Sequence, residues 1–377
     1  MASLDHERQK QAKEYARIKR RLWLVDQAFS LLYAFLWLIL GWSTGLRTWL
    51  SHFTHNDWLL VAAFAAIFGG VYFILNLPLG YYAGFVLPHR YDLSTQSFKD
   101  WLIDQAKSLA LGAGLGLFLI EIVYLTLRIT GDAWWMWLTG GTLLFSVLLT
   151  NLSPILIMPI FNKFTPLSDE HAELADRLMR LAEKAGTQVR GVYKIDMSRR
   201  TRQANAALMG TGNTRRIVLG DTLIDEFSGD EIETVLAHEL GHHVHNDIPW
   251  MIAFGTLVTG LGFFLISLAM DWAIGAFGLA GVADPASLPA LLILASLYQL
   301  VVMPIDNAFS RQRENLADEY ALEATGKPQA FASAFVRLAN QNLGEVDPEP
   351  WVVFLFYNHP PLNVRIKKAE NWESSTG

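Results

Sequence analysis

Long apolar stretches alternate with polar blocks along this chain, and the stretches are too long for ordinary core helices. A helix rising 1.5 Å per residue needs about 20 residues to cross a hydrocarbon layer about 30 Å thick. By that rule six spans are expected near residues 22–42, 58–84, 105–128, 134–160, 249–275 and 287–306. The main polar blocks are the first 21 residues, residues 162–247, and everything after the sixth span.

Within 162–247 the pattern changes. LSDEHAELADRLMRLAEKAG has Ser168 placed as a cap, acids in the first turn, Leu174, Leu178 and Leu181 on one face and Gly186 as a stop, which predicts a surface helix. RGVYKID, RQANAALMG and RRIVLGD are short β-like runs with Gly and Asn between them, which predict a small sheet. FSGDEIETVLAHELGHH opens with Ser228 and Glu231 at the S-x-x-E spacing of a capping box, so a further helix starts there. The expected division is a membrane domain with four spans over 1–161 and a second domain over 162–377 that includes the two spans near 249–275 and 287–306.

Composition supports the membrane reading. The 377 residues are 52% hydrophobic and 18% charged, too apolar for a soluble domain of this length. The net charge of -6 leaves no basic excess for nucleic acid, so no nucleic-acid partner is expected. With no cysteine, disulfides, thiolate nucleophiles and Cys-based zinc sites are excluded.

The charged start, MASLDHERQKQAKEYARIKRRLW, lacks the layout of a cleaved signal peptide and is expected to stay as a cytosolic helix. Arg8, Lys10, Lys13, Arg17, Lys19, Arg20 and Arg21 precede the first span, whereas only Arg47 follows it, only Arg128 follows the third, and 271–288 has no Lys or Arg. The positive-inside rule then places the N-terminus, the 162–247 block and the C-terminal tail in the cytosol. Short loops, and a tail WESSTG without a dilysine signal, point to a prokaryotic plasma membrane. Asp104, Lys107 and Glu121 fall on or beside the third span. An ionisable group at that depth usually faces a bundle interior or a cavity, although Glu121 is also close enough to Arg128 to be interfacial.

The candidate chemistry lies in HELGHHVHNDIPWMIAFG, residues 238–255. Residues four apart share a helix face, so His238 and His242 can address one ion while Glu239 serves a metal-associated water as general base. His245 shares that face but lies about 10 Å from His238 along the axis, too far for one tetrahedral ion. His243 and His245 are therefore read as bystanders. A better third ligand is Glu314 in SRQRENLADEYALEATG, where Asp318, one turn on, could accept the outer N–H of a ligand histidine and fix its tautomer. Gly326 and Pro328 end that helix. Read alone, Glu314 and Asp318 would pass for a solvated acidic face beside Arg311 and Arg313.

HELGH, SRQRENLADEYA and NHPPLNVRI, in this order, resemble the type I CAAX prenyl protease family, the integral-membrane zinc peptidases also called Ste-twenty-four proteases. LPLGYYAGFVLPHRYDLSTQSFKDW, PILIMPIFNKFTPLSDEH and RQANAALMGTGNTRRIVLGDTLID extend the similarity over nearly the whole chain. The resemblance implies a mainly α fold: a polytopic bundle of about six spans with a cytosol-facing, gluzincin-like α+β zinc peptidase domain. It implies one Zn2+ per chain on His238, His242 and Glu314, with Glu239 activating water. It implies that Asn205 and Ala206 lie on an edge strand that pairs with the substrate backbone, and that His359 and Arg365 help stabilise the tetrahedral intermediate. From the residues alone, His359 could equally be a plain turn histidine and Arg365 an ordinary basic residue on a C-terminal helix.

Eukaryotic members are described with seven spans around a water-filled chamber, against six here; the simplest difference is one N-terminal span. The expected partners are a peptide or lipidated protein substrate and membrane lipid, and the oligomeric state is not readable. The expected activity is endopeptidase cleavage near the C-terminus of a prenylated CAAX-type or other membrane-associated substrate. An HtpX-type quality-control protease shares the zinc motifs but fits the four-span start poorly. A metal-binding transporter would show repeat symmetry and paired interrupted helices. A non-catalytic scaffold would tolerate loss of Glu239.

Overall fold

The computed structural model describes residues 3–210 and 212–372, so the last five residues of the tail fall outside it. The basic N-terminal block and the first span form one continuous helix, α1 (His6–Ile39), whose N-cap Asp5 accepts hydrogen bonds from the Glu7 and Arg8 amides. No Gly or Pro interrupts this segment, so the polar helix and the span merge. Next come α2 (Trp42–Ser51) and α3 (Asp57–Tyr81), the latter running through a π-turn into α4 (Leu87–Arg90). Then follow α5 (Phe98–Ile129) and α6 (Trp134–Leu152), which runs through a second π-turn into α7 (Met158–Phe161). Pro78, Pro88, Pro154 and Pro159 lie in or beside the two π-turns, where each removes a donor from the helical ladder.

The polar block holds β1 (Phe164–Pro166), α8 (Ala172–Lys184), β2 (Val192–Ile195), β3 (Ala206–Met209), β4 (Arg216–Gly220), α9 (Asp221–Glu226) and α10 (Gly229–Val244). The strand order is β1-β2-β4-β3, with β2 and β4 parallel and the other two pairings antiparallel. Three strands fall within the three expected runs. The fourth, β1, is three residues long and follows directly on the fourth span, too short for any alternation to be read.

After α10 come α11 (Asp247–Phe277), α12 (Leu288–Thr325), α13 (Pro328–Gln341), α14 (Pro350–Phe356) and α15 (Leu362–Glu370). Among the described residues six helices are long and apolar enough to cross a membrane: α1, α3–α4, α5, α6–α7, α11 and α12. The sixth does not stop at the membrane edge. At 38 residues α12 is about 57 Å long, and the span and the Glu314 segment are one rod.

Two cores result. In the peptidase half, Leu178 of α8, Ile217 and Leu219 of β4, Leu236 and Leu240 of α10, and Phe331 of α13 are fully buried together. Each such side chain contributes roughly 1.5–3 kcal/mol. In the membrane half, aromatic residues of α1 and α3 pack with Tyr124 and Trp134, while α1, α3, α5 and α12 line a cavity of about 1020 Å³. The last two spans close on each other where Tyr298 of α12 lies over Gly262: a Cβ there would sit 2.5 Å from the ring. The Tyr298 hydroxyl donates to Val258 O at 2.6 Å.

Asp104 and Lys107 are tied up at the junction with the peptidase half. Arg200 Nε donates to Asp104 at 2.6 Å, and Lys107 Nζ donates to Ile160 O at 3.1 Å. Glu121 differs, because both its carboxylate oxygens are buried while Arg128 lies over the Trp58 ring.

Candidate metal centre and active site

Helix α10 starts where Ser228 and Glu231 form a reciprocal capping box, and Glu231 is held further by Ser333 and Arg337 of α13. Its inner face then packs against α12. The contact is close at Gly241, where an added Cβ would sit 2.8 Å from Ala317 Cα and 3.0 Å from Ala317 O. The glycine inside HELGH thus lets α10 approach α12 closely enough for histidines on one helix to meet carboxylates on the other.

His238, His242 and Glu314 offer ligand atoms that all lie within 4.8 Å of one another. His238 Nε2 is 3.3 Å from Glu314 Oε2, and His242 Nε2 is 3.4 Å from Glu314 Oε1. Ligands about 2.0–2.1 Å from a tetrahedral zinc stand about 3.3–3.4 Å apart. Glu314 Oε2 is buried without a hydrogen-bond partner among the described residues, as an oxygen reserved for a cation would be. These residues therefore fit a divalent metal, and zinc in particular.

The outer nitrogens decide the tautomers. His238 Nδ1 lies 2.9 Å from Asp318 Oδ1, and His242 Nδ1 lies 2.6 Å from Asp247 Oδ2. Each ring can donate its Nδ1 proton to a carboxylate and turn a bare Nε2 to the shared centre. Each carboxylate is held in turn by an arginine: Arg365 Nε donates to Asp318 at 2.8 Å, and Arg313 Nε donates to Asp247 at 2.6 Å. Asp247 and Arg313 are the site residues that sequence reasoning missed. Burial opposes charge on His238, but Asp318 and Glu314 outweigh it and raise the ring to about 9 in the absence of a cation. Burial also pushes the Glu239 carboxyl above its ordinary range, the direction that suits a proton carrier.

The other expected residues fall at different depths. His359, half exposed, sits between α14 and α15 with Nε2 3.2 Å from Glu314 Oε1. Asn205 is exposed and directly precedes β3, and Ala206 is its first residue; β3 is an outer strand of the sheet, paired on one side with β4. Arg365 lies deeper than His359. It is only 5% exposed, its guanidinium is bound to Asp318 and stacked 4.0 Å from the Phe335 ring centroid, and it stands behind His238. From there its Nη2 also comes within 3.8 Å of Glu314 Oε2. His243 turns away to Arg215, and the His245 ring faces Tyr320.

This arrangement of fold and site is that of an integral-membrane, multi-pass zinc metalloendopeptidase. The profile of peptidase family M48 matches residues 168–373, and that of the family described as "CAAX prenyl protease N-terminal, five membrane helices" matches residues 1–163. The chain belongs to peptidase family M48. An uncharacterized metalloprotease of Bacillus subtilis, YhfN, is 30% identical over 97% of this chain and 86% of its own length. CAAX prenyl protease 1 of Saccharomyces cerevisiae is 32% identical over 78% of this chain and 68% of its own. The crystal structure of S. mikatae Ste24p superposes with a TM-score of 0.86 at 26% identity, covering 98% of this chain and 90% of that one. The N-terminal family is described with five membrane helices, whereas the matched residues here carry four candidate spans.

Proposed function

We propose that this chain is a zinc endopeptidase that cuts peptide bonds near the C-terminus of prenylated CAAX-type or other membrane-associated substrates. The observation that carries the reading is the pair of Nε2 atoms converging on Glu314 while both Nδ1 atoms are engaged by carboxylates. His238, His242 and Glu314 hold one zinc per chain, with Asp318 and Asp247 orienting the two rings. Zinc bound there supplies a Lewis acid for the scissile carbonyl and acidifies a water for attack.

The chain's own groups do the rest. Glu239 takes the proton of the attacking water and delivers it to the leaving amine nitrogen. His359 Nε2 donates a hydrogen bond to the oxygen on which charge develops. Asn205 and Ala206 offer the free edge of β3 to an extended substrate, which adds as a further strand. Residues 1–161 form a membrane domain and 162–377 a peptidase domain that includes α11 and the span of α12. The Lys/Arg asymmetry supports cytosolic placement of the N-terminus, the site and the C-terminus, and the bacterial relative supports a prokaryotic plasma membrane. The site then lies at the cytosolic membrane edge, where a lipid-anchored substrate arrives.

The test compares detergent-purified wild type with Glu239→Gln, measuring metal content and cleavage of a farnesylated CAAX peptide and an unmodified one. The expected result is about one zinc in both proteins and cleavage in the wild type alone. Cleavage by Glu239→Gln would remove the general-base assignment. Zinc without cleavage of either peptide would favour a silent metal-binding scaffold.

A further inference from the structure

Asn307, Arg311, Glu314 and Asp318 are spaced i, i+4, i+7 and i+11 on α12, so their side chains leave one face of the helix. Glu314 and Asp318 serve the metal centre and His238. The two residues before them hold the backbone that leads to His359. Asn307 Nδ2 donates to Leu355 O at 2.7 Å, and Arg311 Nη1 donates to Val353 O at 3.0 Å and to Tyr357 O at 2.5 Å. These carbonyls lie in the last turn of α14 and just beyond it; Val353 O also accepts from the Tyr357 amide at 3.3 Å, so the guanidinium adds a second donor there.

His359 follows two residues later and is otherwise lightly held. Its ring is half exposed, and among the described residues its Nδ1 is bonded only to the side chain of its neighbour Asn358, at 2.8 Å. Downstream, Pro360 and Pro361 stiffen the chain into α15, whose Arg365 is anchored on Asp318. The segment 353–365 is thus pinned at both ends to one face of α12, with Glu314 between the pins. A single rigid helix sets the distance from the ligand carboxylate to the His359 ring.

We propose that Arg311 is a positioning residue for His359: by holding the Val353 and Tyr357 carbonyls it places Nε2 over the metal centre. The proposal rests on the oxyanion role given to His359 above. It requires a specific kinetic signature, because Arg311 bonds backbone carbonyls and, among the described residues, not His238, His242 or Glu314. A misplacement of about 1 Å costs on the order of 100-fold in rate. Arg311→Ala is therefore expected to lower kcat about 10- to 100-fold, with KM and zinc affinity within about 2-fold of wild type.

The test uses the full-length zinc-loaded protein in detergent, with Arg311→Ala, His359→Ala, the double variant and Arg311→Lys, each assayed for kcat, KM, zinc affinity by chelator competition and amide hydrogen exchange of residues 352–360. If Arg311 acts through His359, the double variant is no slower than His359→Ala. Exchange in 352–360 rises in Arg311→Ala but not in His359→Ala, and Arg311→Lys recovers part of kcat. Should Arg311→Ala fail to purify folded, Arg311→Lys and Asn307→Ala carry the same test, with expected losses of about 3- to 10-fold. If His359→Ala turns over like the wild type, the oxyanion role is wrong and this proposal falls with it. If His359→Ala is impaired but Arg311→Ala is not, or the two losses multiply, only the Arg311 proposal falls. A loss of zinc affinity in Arg311→Ala also overturns it, since the arginine would then be supporting Glu314.

Discussion

The regions behind His238 and His242 contain the same parts and bury them differently. Behind His238, Asp318 is 0% exposed and Arg365 is sealed under Phe335. Behind His242, Asp247 is buried too, but its arginine, Arg313, is only partly so, and the His242 side chain keeps 27% of its surface. The first set joins α10, α12 and α15 inside the peptidase core. The second joins α10 and α12 to the first residue of α11, where the chain enters the apolar span. Identical chemistry therefore has different costs of disruption, because a charge stripped of its partner in a dry site cannot be rescued by water.

The sharpest way to break this contrast is to delete the two carboxylates separately. Asp318→Ala leaves Arg365 buried without its close carboxylate, with only Glu314 Oε2 3.8 Å away to face it. It is expected to cost about 3–5 kcal/mol of stability, read by thermal or denaturant unfolding, together with a loss of zinc affinity at or beyond about 100-fold. Asp247→Ala leaves Arg313 with access to water and with the His245 carbonyl still accepting from it at 2.7 Å. Its zinc affinity should drop about 10- to 100-fold, with a smaller loss of stability than Asp318→Ala gives. Equal unfolding penalties for the two variants would erase the distinction.

Proton competition sharpens the contrast at smaller scale. A ligand ring must give up its proton to a metal, and His238 without a cation is raised to about 9, so metal binding below that pH displaces a proton. Apparent zinc affinity is expected to fall about tenfold for each pH unit below 9 from this ring alone. Asp318→Asn, which removes one of the carboxylates that raises His238, should shift the break to lower pH. Titrations at several pH values that gave a flat affinity between pH 6 and 9 would contradict this. The smallest expected effect belongs to the bystanders. His243→Gln and His245→Gln should leave zinc content unchanged and stability within about 0.5 kcal/mol, and a zinc deficit in either would redraw the ligand set.

Legibility followed how local each relation is. The pairing of His238 with His242, and of Glu314 with Asp318, is readable because four residues make about one helical turn. The cap at Ser228 and the three longer strands were readable for the same reason. Asp247 escaped notice because an acid at the first residue of a membrane helix reads as an ordinary partner of the helix dipole. The available signal was an acid five residues past a ligand histidine at the boundary between polar and apolar sequence. Arg313 read as part of a solvated face, and Arg365 was expected to meet the reaction intermediate. Only packing reveals that Arg313 holds Asp247 and that Arg365 holds Asp318.

By itself the sequence determined the six candidate membrane helices, the capped helix that pairs His238 with His242 and the second helix that pairs Glu314 with Asp318, because each depends on length, periodicity or spacing within a few turns. Tertiary structure alone decided that α10 closes on α12 at Gly241, that each histidine has its own carboxylate and arginine, and that one face of α12 holds both the metal centre and the approach to His359. Apart from His242 and Asp247, which are five residues apart, those relations join residues far apart along the chain. No local pattern encodes them, since they arise when two rigid helices are packed at a distance that a single missing Cβ permits.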